Sequence, residues 1–245
     1  MNAESSADPR FDPAVVEAVI QAISSPNTEP DVEGLPEDGE VLRALLHSVV
    51  PVALDRYNTL GISADIAHAS LADIGRKIDA YGGSADRPWL LKVLRGDVLT
   101  FGRLQFERNL SQGTRAMHIP EGDSLSPGSV DDAVAEARAW FGDDQIVCTS
   151  WLLDPGLHEL GEHSNIVKFA RLFDLVEPDG DVEPSRREES NREADHDVCR
   201  FVFRRPVPEV LDADLVVATT SLQRLVAARL RSGQHWAEPR GLLRT

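Results

Sequence analysis

Residues 114–173 read TRAMHIPEGDSLSPGSVDDAVAEARAWFGDDQIVCTSWLLDPGLHELGEHSNIVKFARLF, and they show the clearest succession of strand and helix patterns in the chain. Side chains alternate in character around Ala116, which predicts a half-buried strand. Pro120 marks its end, because proline has no N–H to donate to a neighbouring strand. A helix is expected to begin at Ser126 and Pro127, since serine can accept hydrogen bonds from first-turn amides and proline suits the first helical position.

The helix is expected to bury one face and to end at Gly142. The residues expected on that face are Val134, Ala137, Trp140 and Phe141. Gln145 to Leu153 follows as a second strand, rich in residues that favour extended structure. A strand, a helix and a strand in this order form a β-α-β crossover, so the two strands should be parallel and the connection right-handed.

Composition limits the classes of function. The chain has 245 residues, 42% of them hydrophobic, which is enough for one large domain or two small ones. Its net charge is −16 and its pI about 4.8, so nucleic acid and anionic membranes are disfavoured as partners. Two cysteines, expected in strands, predict neither a disulfide framework nor a CxxC metal site. With no signal peptide or spanning segment apparent, the expected location is the cytoplasm.

The first 88 residues are expected to be mostly helical. Residues 1–40 read as a flexible acidic segment with a short helix that begins at Asp12 and Pro13. Residues 41–88 then form a helical N-terminal domain, whose first helix should be interrupted at Pro51.

The remaining chain, residues 89–245, is expected to form a second domain with a mixed sheet. Val98 to Phe106 should pair with the Ala116 strand as an antiparallel hairpin. Further elements are expected downstream: helix or strand at 165–176, a mobile polar loop at 177–195, a strand at 198–203 and a helix at 221–230.

The fold class that follows is α/β, a mixed β-sheet flanked by helices. Ligands of such sheets gather where neighbouring strands diverge, which here means the ends of the Ala116 and Gln145 strands. His118, Ser150 and Trp151 lie there in sequence, and the loop at 122–128 opens a helix whose amides could bind phosphate.

Five blocks of sequence resemble a known family. They are LGISADIAHASLADIGR at 60–76, GRLQFE at 102–107, HIPEGDSLSP at 118–127, VCTSWLLDP at 147–155 and HSNIVKFARLF at 163–173. Together they resemble actinobacterial acyltransferase-domain proteins, which join a helical N-terminal part to a C-terminal domain of the GNAT (N-acetyltransferase-like) superfamily. The resemblance runs from about Leu45 to Arg204, and the ordered combination of blocks is more specific than any one of them.

The resemblance implies an activity. A GNAT-like acyltransferase would bind a pantetheine thioester in a V-shaped opening between its two parallel strands and transfer the acyl group to an amine. Acyl-CoA or an acyl carrier protein would be the donor, a small molecule or peptide amine the acceptor, and no cofactor would be tightly bound. The superfamily's usual pyrophosphate loop carries Arg or Gln followed by closely spaced glycines, whereas the matching PEGDSLSPGS has two glycines in another spacing.

Candidate site residues follow from these positions. His118 and Ser150 are the candidate catalytic residues, with a structural histidine and a hydroxyl cap as the alternatives. Candidate substrate-binding residues are Arg103, Gln105, Glu107, Trp151 and Asn165. Candidate donor-binding residues are Ile119, Gly122, Ser124 and Ser126. Cys148 should be a core residue, and His158 and His163 lack a third convergent ligand, so no metal is expected.

Three functions remain compatible with the sequence. An N-acyltransferase comes first, because the resemblance and the predicted architecture agree. A GNAT-like hydrolase and a non-catalytic binding module in a biosynthetic pathway are the alternatives, since a fold does not by itself define a function.

Overall fold

The structure is a computed structural model that describes residues 11–25, 34–122, 124–176 and 184–244. The chain divides into two compact units. One holds residues 1–101 and 105–109, and the other holds residues 102–104 and 110–245. Residues 1–10 and 26–33 of the predicted flexible acidic segment lie outside the described residues, as do residues 177–183 of the predicted polar loop.

The first unit is mainly helical. Its elements, with the strand pair that follows them, are α1 (Pro13–Ser24), α2 (Gly39–Ser48), α3 (Val50–Thr59), α4 (Ala64–Tyr81), α5 (Arg87–Arg95), β1 (Val98–Phe101) and β2 (Leu104–Glu107). Asp12 caps α1 as predicted, accepting a hydrogen bond from the Ala14 amide at 2.9 Å. Pro51 lies in the first turn of α3, and α2 ends just before it, at Ser48. The predicted interruption of the helix at Pro51 is therefore confirmed.

The second unit carries most of the sheet. Its elements are β3 (Thr114–His118), α6 (Pro127–Phe141), β4 (Gln145–Thr149), α7 (Asn165–Ala170), β5 (Phe173–Val176), α8 (Pro184–Phe203), α9 (Val207–Leu211), α10 (Ser221–Arg231) and β6 (Arg240–Leu243). Short 3₁₀ helices follow β4 at Trp151–Leu153 and Pro155–Leu160. The described strands form one six-stranded sheet in the order β1-β2-β3-β4-β6-β5, which is mixed and flanked by helices as predicted.

The central pair of strands has the predicted arrangement. β3 and β4 are adjacent and parallel, in a register that runs from Thr114 opposite Gln145 to Met117 opposite Cys148. β6 lies antiparallel to both β4 and β5 and separates them. Because β6 comes from residues 240–243, the sheet extends beyond the strand at 198–203, which is the last strand that the sequence predicts.

Helix α6 begins at the Ser126 cap and ends at Gly142, as expected. Its buried residues are Val130, Ala133 and Ala137. Trp140 is 37% exposed, so the predicted face is wrong there. A Cβ atom on Gly102 would lie 3.4 Å from the Cβ of Ala133, so small residues define this contact and the buried stripe lies away from the large aromatic.

Two predictions for the later part of the chain are wrong. Residues 198–203 are not a strand and residues 184–195 are not a loop, because α8 covers both. Buried residues in this helix recur at helical spacing: Ala194, Asp195, Val198 and Cys199. Cys199 therefore lies in a helix and not in a strand. In the described parts of the chain, none of the helices has both the length and the apolar character needed to span a membrane.

Candidate functional site

The parallel pairing of β3 and β4 ends before either strand does. Met117 and Cys148 are the last paired residues, although β3 continues to His118 and β4 to Thr149. Beyond this point β4 stays with β6: Thr149 pairs with Arg240, and the Ser150 amide donates to the Pro239 carbonyl at 3.3 Å. Backbone pairing between the two strands therefore stops at this point, at the strand ends where the sequence predicts the opening.

His118 is the last residue of β3 and lies at this predicted opening. It is half-buried, and strand alternation puts it on the sheet face that carries Thr149. Ser150 has an extended backbone conformation, so its side chain belongs to the opposite face, with Met117 and Cys148. His118 and Ser150 thus reach the same opening from different faces of the sheet.

Ser150 and Trp151 form the turn that follows β4. The Ser150 hydroxyl accepts a hydrogen bond from the Leu152 amide at 3.1 Å and caps the short 3₁₀ helix that follows. β4 therefore ends at Thr149, four residues before Leu153, where the sequence predicts its end. Trp151 is 7% exposed and is mostly buried. The structure therefore gives Ser150 its capping role and leaves its proton available to donate.

The loop between β3 and α6 meets the start of α7. The Asn165 side-chain amide donates to the Ser124 hydroxyl at 2.7 Å, so a candidate substrate-binding residue and a candidate donor-binding residue lie together. Gly122 has φ +141 and faces open space, a conformation that suits glycine. Ile119 is half-buried beside this loop.

The first turn of α6 offers few amides to an anion. Pro127 has no N–H, and the Ser129 amide donates to the Ser126 hydroxyl at 3.3 Å. The turn therefore presents mainly the Gly128 amide. This is fewer than the set of helix amides that the sequence predicts for binding phosphate at this loop.

Of the candidate substrate-binding residues at 103, 105 and 107, the structure buries the central one, Gln105. Gln105 has no exposed surface, and its side-chain amide donates to the Thr100 hydroxyl at 3.3 Å. It therefore neither lines an open cleft nor faces water. Arg103 and Glu107 are half-buried, and Arg103 belongs to the second unit whereas Glu107 belongs to the first.

Cys148 packs in the core of the sheet, as predicted. It is 1% exposed, and burial, with a smaller contribution from the negative charge of Glu238, raises the pKa of its thiol to about 12. The thiol is thus neutral at physiological pH. Within the described ranges, no three His, Cys, Asp or Glu side chains are placed to hold a metal ion. His158 and His163 therefore belong to no such group.

A buried carboxylate behind the opening has no role predicted from the sequence. Asp154 is 2% exposed, and its oxygens accept hydrogen bonds from the Gly156 amide at 2.7 Å, the Ala237 amide at 2.9 Å and the Arg229 guanidinium at 3.2 Å. The Arg229 guanidinium also lies 4.5 Å from the Trp236 ring centroid. An aspartate directly after an apolar strand and before Pro-Gly was the available signal for this site.

An acidic cleft of about 560 Å³ lies between α8 and the chain that enters β6. Its lining residues are Glu189, Arg192, Glu193, His196, Asp197 and Glu238. The pKa of Glu238 is raised, first by burial and then by the charges of Asp197 and Glu193. Glu238 directly precedes Pro239, which bonds Ser150, so the cleft lies close to the end of β4.

Comparison with known proteins defines the class of this chain. A family model described as the GNAT-like C-terminal domain matches residues 98–243. That is more than half of the chain, which therefore belongs to this family. No curated protein sequence matches the chain significantly.

Solved structures of similar fold include three acyltransferase structures. One, in complex with decanoyl-CoA and teicoplanin, is 27% identical, with a TM-score of 0.78 over 96% of this chain and 80% of that one. A mutant in complex with octanoyl-CoA is 26% identical, with a TM-score of 0.78 over 98% and 80% of the two chains. A third, with CoA and 10C-teicoplanin, is 26% identical, with a TM-score of 0.77 over 97% and 80%. These likenesses support acyl transfer as the class of activity.

Proposed function

We propose that this protein transfers an acyl group from a pantetheine thioester, with acyl-CoA as the donor, to an amine acceptor. The observation that carries the proposal is that the parallel pairing of β3 and β4 ends at Met117 and Cys148, in a chain of the GNAT-like family. The donor is a co-substrate, and no tightly bound cofactor takes part.

The opening suits an extended thioester. Backbone N–H and C=O groups that neighbouring strands would exchange face the gap, and the amides of a pantetheine arm can bond to them as an added strand does. Ile119, Gly122, Ser124 and Ser126 follow β3 directly and would contact the donor. The Gly128 amide and the start of α6 favour negative charge, which suits a phosphate of CoA.

His118 is the residue that we propose as general base. An amine acceptor is protonated at neutral pH and must lose a proton before it attacks the thioester carbon, and a half-buried imidazole at the opening can take that proton directly or through one water. Ser150, on the opposite face, can donate its hydroxyl proton to the departing thiolate and take in return the proton that the attacking nitrogen loses as the amide forms. Orientation of the two substrates supplies much of the remaining rate enhancement.

Acceptor contacts are proposed for the residues around this opening. Trp151 and Asn165 follow β4 and begin α7, respectively. Arg103 directly precedes β2, and Glu107 is its last residue. Gln105 would contribute by fixing β2 through Thr100. We further propose residues 89–245 as the acyltransferase domain and 41–88 as a helical N-terminal domain, preceded by a segment, residues 1–40, that contains the short helix α1.

The first acceptor to test is a glycopeptide amine, because two of the similar structures contain teicoplanin or a derivative of it. The donors to test are octanoyl-CoA and decanoyl-CoA, which two of the similar structures contain, and an acyl carrier protein loaded with the same chains. This choice rests on similarity to those proteins.

The test measures release of free CoA thiol from decanoyl-CoA with and without teicoplanin or a pool of simple amines, with product masses determined in parallel. An acyltransferase releases thiol in proportion to an acylated amine. Equal release without any amine would show a hydrolase, and binding of decanoyl-CoA without release would show a binding module.

A further inference from the structure

The chain that leaves β4 is tied to the chain that enters β6 at two points. The Ser150 amide donates to the Pro239 carbonyl, and the Asp154 carboxylate accepts from the Ala237 amide at 2.9 Å. Both ties lie on the side of β4 away from β3. They begin immediately after the last β3–β4 pair, at Cys148.

Arg229 of α10 completes this arrangement. Its Nη1 donates to Asp154 at 3.2 Å, its Nε donates to the His235 carbonyl at 3.1 Å, and its guanidinium stacks on Trp236. Arg229 therefore forms hydrogen bonds both to the segment that follows β4 and to the segment that precedes β6. The Asp154 side chain is 3% exposed and that of Arg229 is 22% exposed, so the ion pair is largely shielded from solvent.

Gly156 makes room for the ion pair. A Cβ atom at this position would lie 1.5 Å from Nη1 of Arg229 and 3.0 Å from Oδ1 of Asp154. Any larger residue must therefore displace the guanidinium, which is the far end of a flexible side chain. Glycine at position 156 therefore leaves the space that the ion pair between Asp154 and Arg229 occupies.

We infer that Asp154 and Arg229 are positioning residues that hold the end of β4 against β6 and thereby keep the β3–β4 opening at the width that an acyl thioester needs. This inference rests on the proposed function, because it assigns the opening to the donor. Neither residue touches the reacting atoms. Loss of their contact should let residues 149–151 move into the opening, weakening donor binding more than it slows the chemical step.

The test uses two variants that break the contact between Asp154 and Arg229, one without and one with a change of charge. Gly156→Ala should displace Arg229, and Arg229→Gln should remove its charge. Each is expected to raise the Kd for decanoyl-CoA by at least about tenfold, while the single-turnover rate at saturating donor stays within about threefold of wild type. Arg229→Lys, which keeps the charge opposite Asp154, should recover part of the affinity lost in Arg229→Gln.

Two matched controls separate this effect from general damage. Gly75→Ala adds a methyl group with its nearest neighbour at 3.8 Å, and Arg205→Gln removes a charge from an exposed pair with Glu209. Both should keep the wild-type Kd within about twofold.

Folded Gly156→Ala and Arg229→Gln proteins with wild-type affinity would overturn the inference. So would failure of both to fold while the controls fold, since the contact would then serve the fold and not the opening. If the wild-type protein does not bind decanoyl-CoA, the proposed function itself fails and the inference falls with it.

Discussion

His118 is the side chain on which the proposed mechanism depends most. His118→Ala should lower the turnover number by at least about tenfold and leave the Kd for decanoyl-CoA near its wild-type value, because a positioned base typically supplies a factor of about 10² to 10⁴. His118→Asn, which keeps a hydrogen bond but cannot titrate, should remain slow. Single-turnover rates, donor affinity and melting temperature measured together check this.

The competing role for His118 has a different signature. A histidine that only holds the loop after β3 would show lower melting temperature and weaker donor binding in His118→Ala, with both restored in His118→Asn. A folded, fully active His118→Ala protein would remove the residue from the mechanism.

Cys148 should take no covalent part in the reaction. Burial raises the pKa of its thiol to about 12, so almost no thiolate is present at neutral pH to attack a thioester. Cys148→Ser should therefore keep most of the turnover, with some loss of stability from the buried hydroxyl. An acylated Cys148, detected by intact mass after mixing with decanoyl-CoA alone, would contradict direct transfer.

Prediction from sequence succeeded for residues whose partners are near in the chain and failed for those whose partners are distant. Ser126 caps α6 because its partner, the Ser129 amide, is three residues away. Gln105 was misplaced because a three-residue alternation cannot show that both faces of β2 are covered. Asp154 was missed as a functional residue because Arg229 and Ala237 come some 80 residues later.

The β3-α6-β4 element was predictable because proline, serine and glycine mark its boundaries and its connection has a preferred geometry. Helix α8 was not, because a β-branched and aromatic run at its end resembles a strand, whereas its buried residues follow a helical period. β6 was also missed. Its four residues join the sheet through non-local pairing with β4 and β5, which local sequence does not specify.

The acidic cleft beside α8 gives a prediction with a definite sign. The pKa of Glu238 is raised in the folded protein, so its contribution to stability is present below the ordinary glutamate pKa of about 4.3 and is lost as pH rises through the folded value. Glu238→Gln should therefore melt at a higher temperature than wild type at pH 8, and the difference should disappear near pH 4.

Glu162 is the matched control for Glu238. Its pKa is lowered by the hydrogen bond from Arg171, so its contribution is present above the ordinary pKa and is lost as pH falls. Glu162→Gln should not raise the melting temperature at pH 8. A Glu238→Gln protein no more stable than wild type at that pH would show that the cleft does not disfavour the charged form of this carboxylate.

Charge is the property of the whole molecule that bears most on the proposed donor. The chain carries a net charge of −16, and CoA is also a polyanion, so the two repel at long range. The association rate constant of CoA should therefore increase as NaCl is raised from about 10 to 150 mM, because the screening length falls from about 30 to 8 Å. A rate that decreases with salt would instead reveal a local basic patch that guides the donor.

For the chain as a whole, the sequence predicted the class of fold and the parallel central pair whose ends form the proposed opening. It did not predict the side of the sheet from which each residue reaches that opening, because the face of a residue depends on where the strand register begins. His118 and Ser150 are close in the predicted topology yet lie on opposite faces.

The most direct test of the central claim is backbone amide exchange of the protein with and without saturating decanoyl-CoA. We predict that exchange slows in the peptides that cover 117–122 and 124–129, on one side of the β3–β4 opening, and 149–151 on the other. Protection confined to other segments, or exchange unchanged throughout at a donor concentration shown to saturate, would contradict the assignment of the opening as the thioester site.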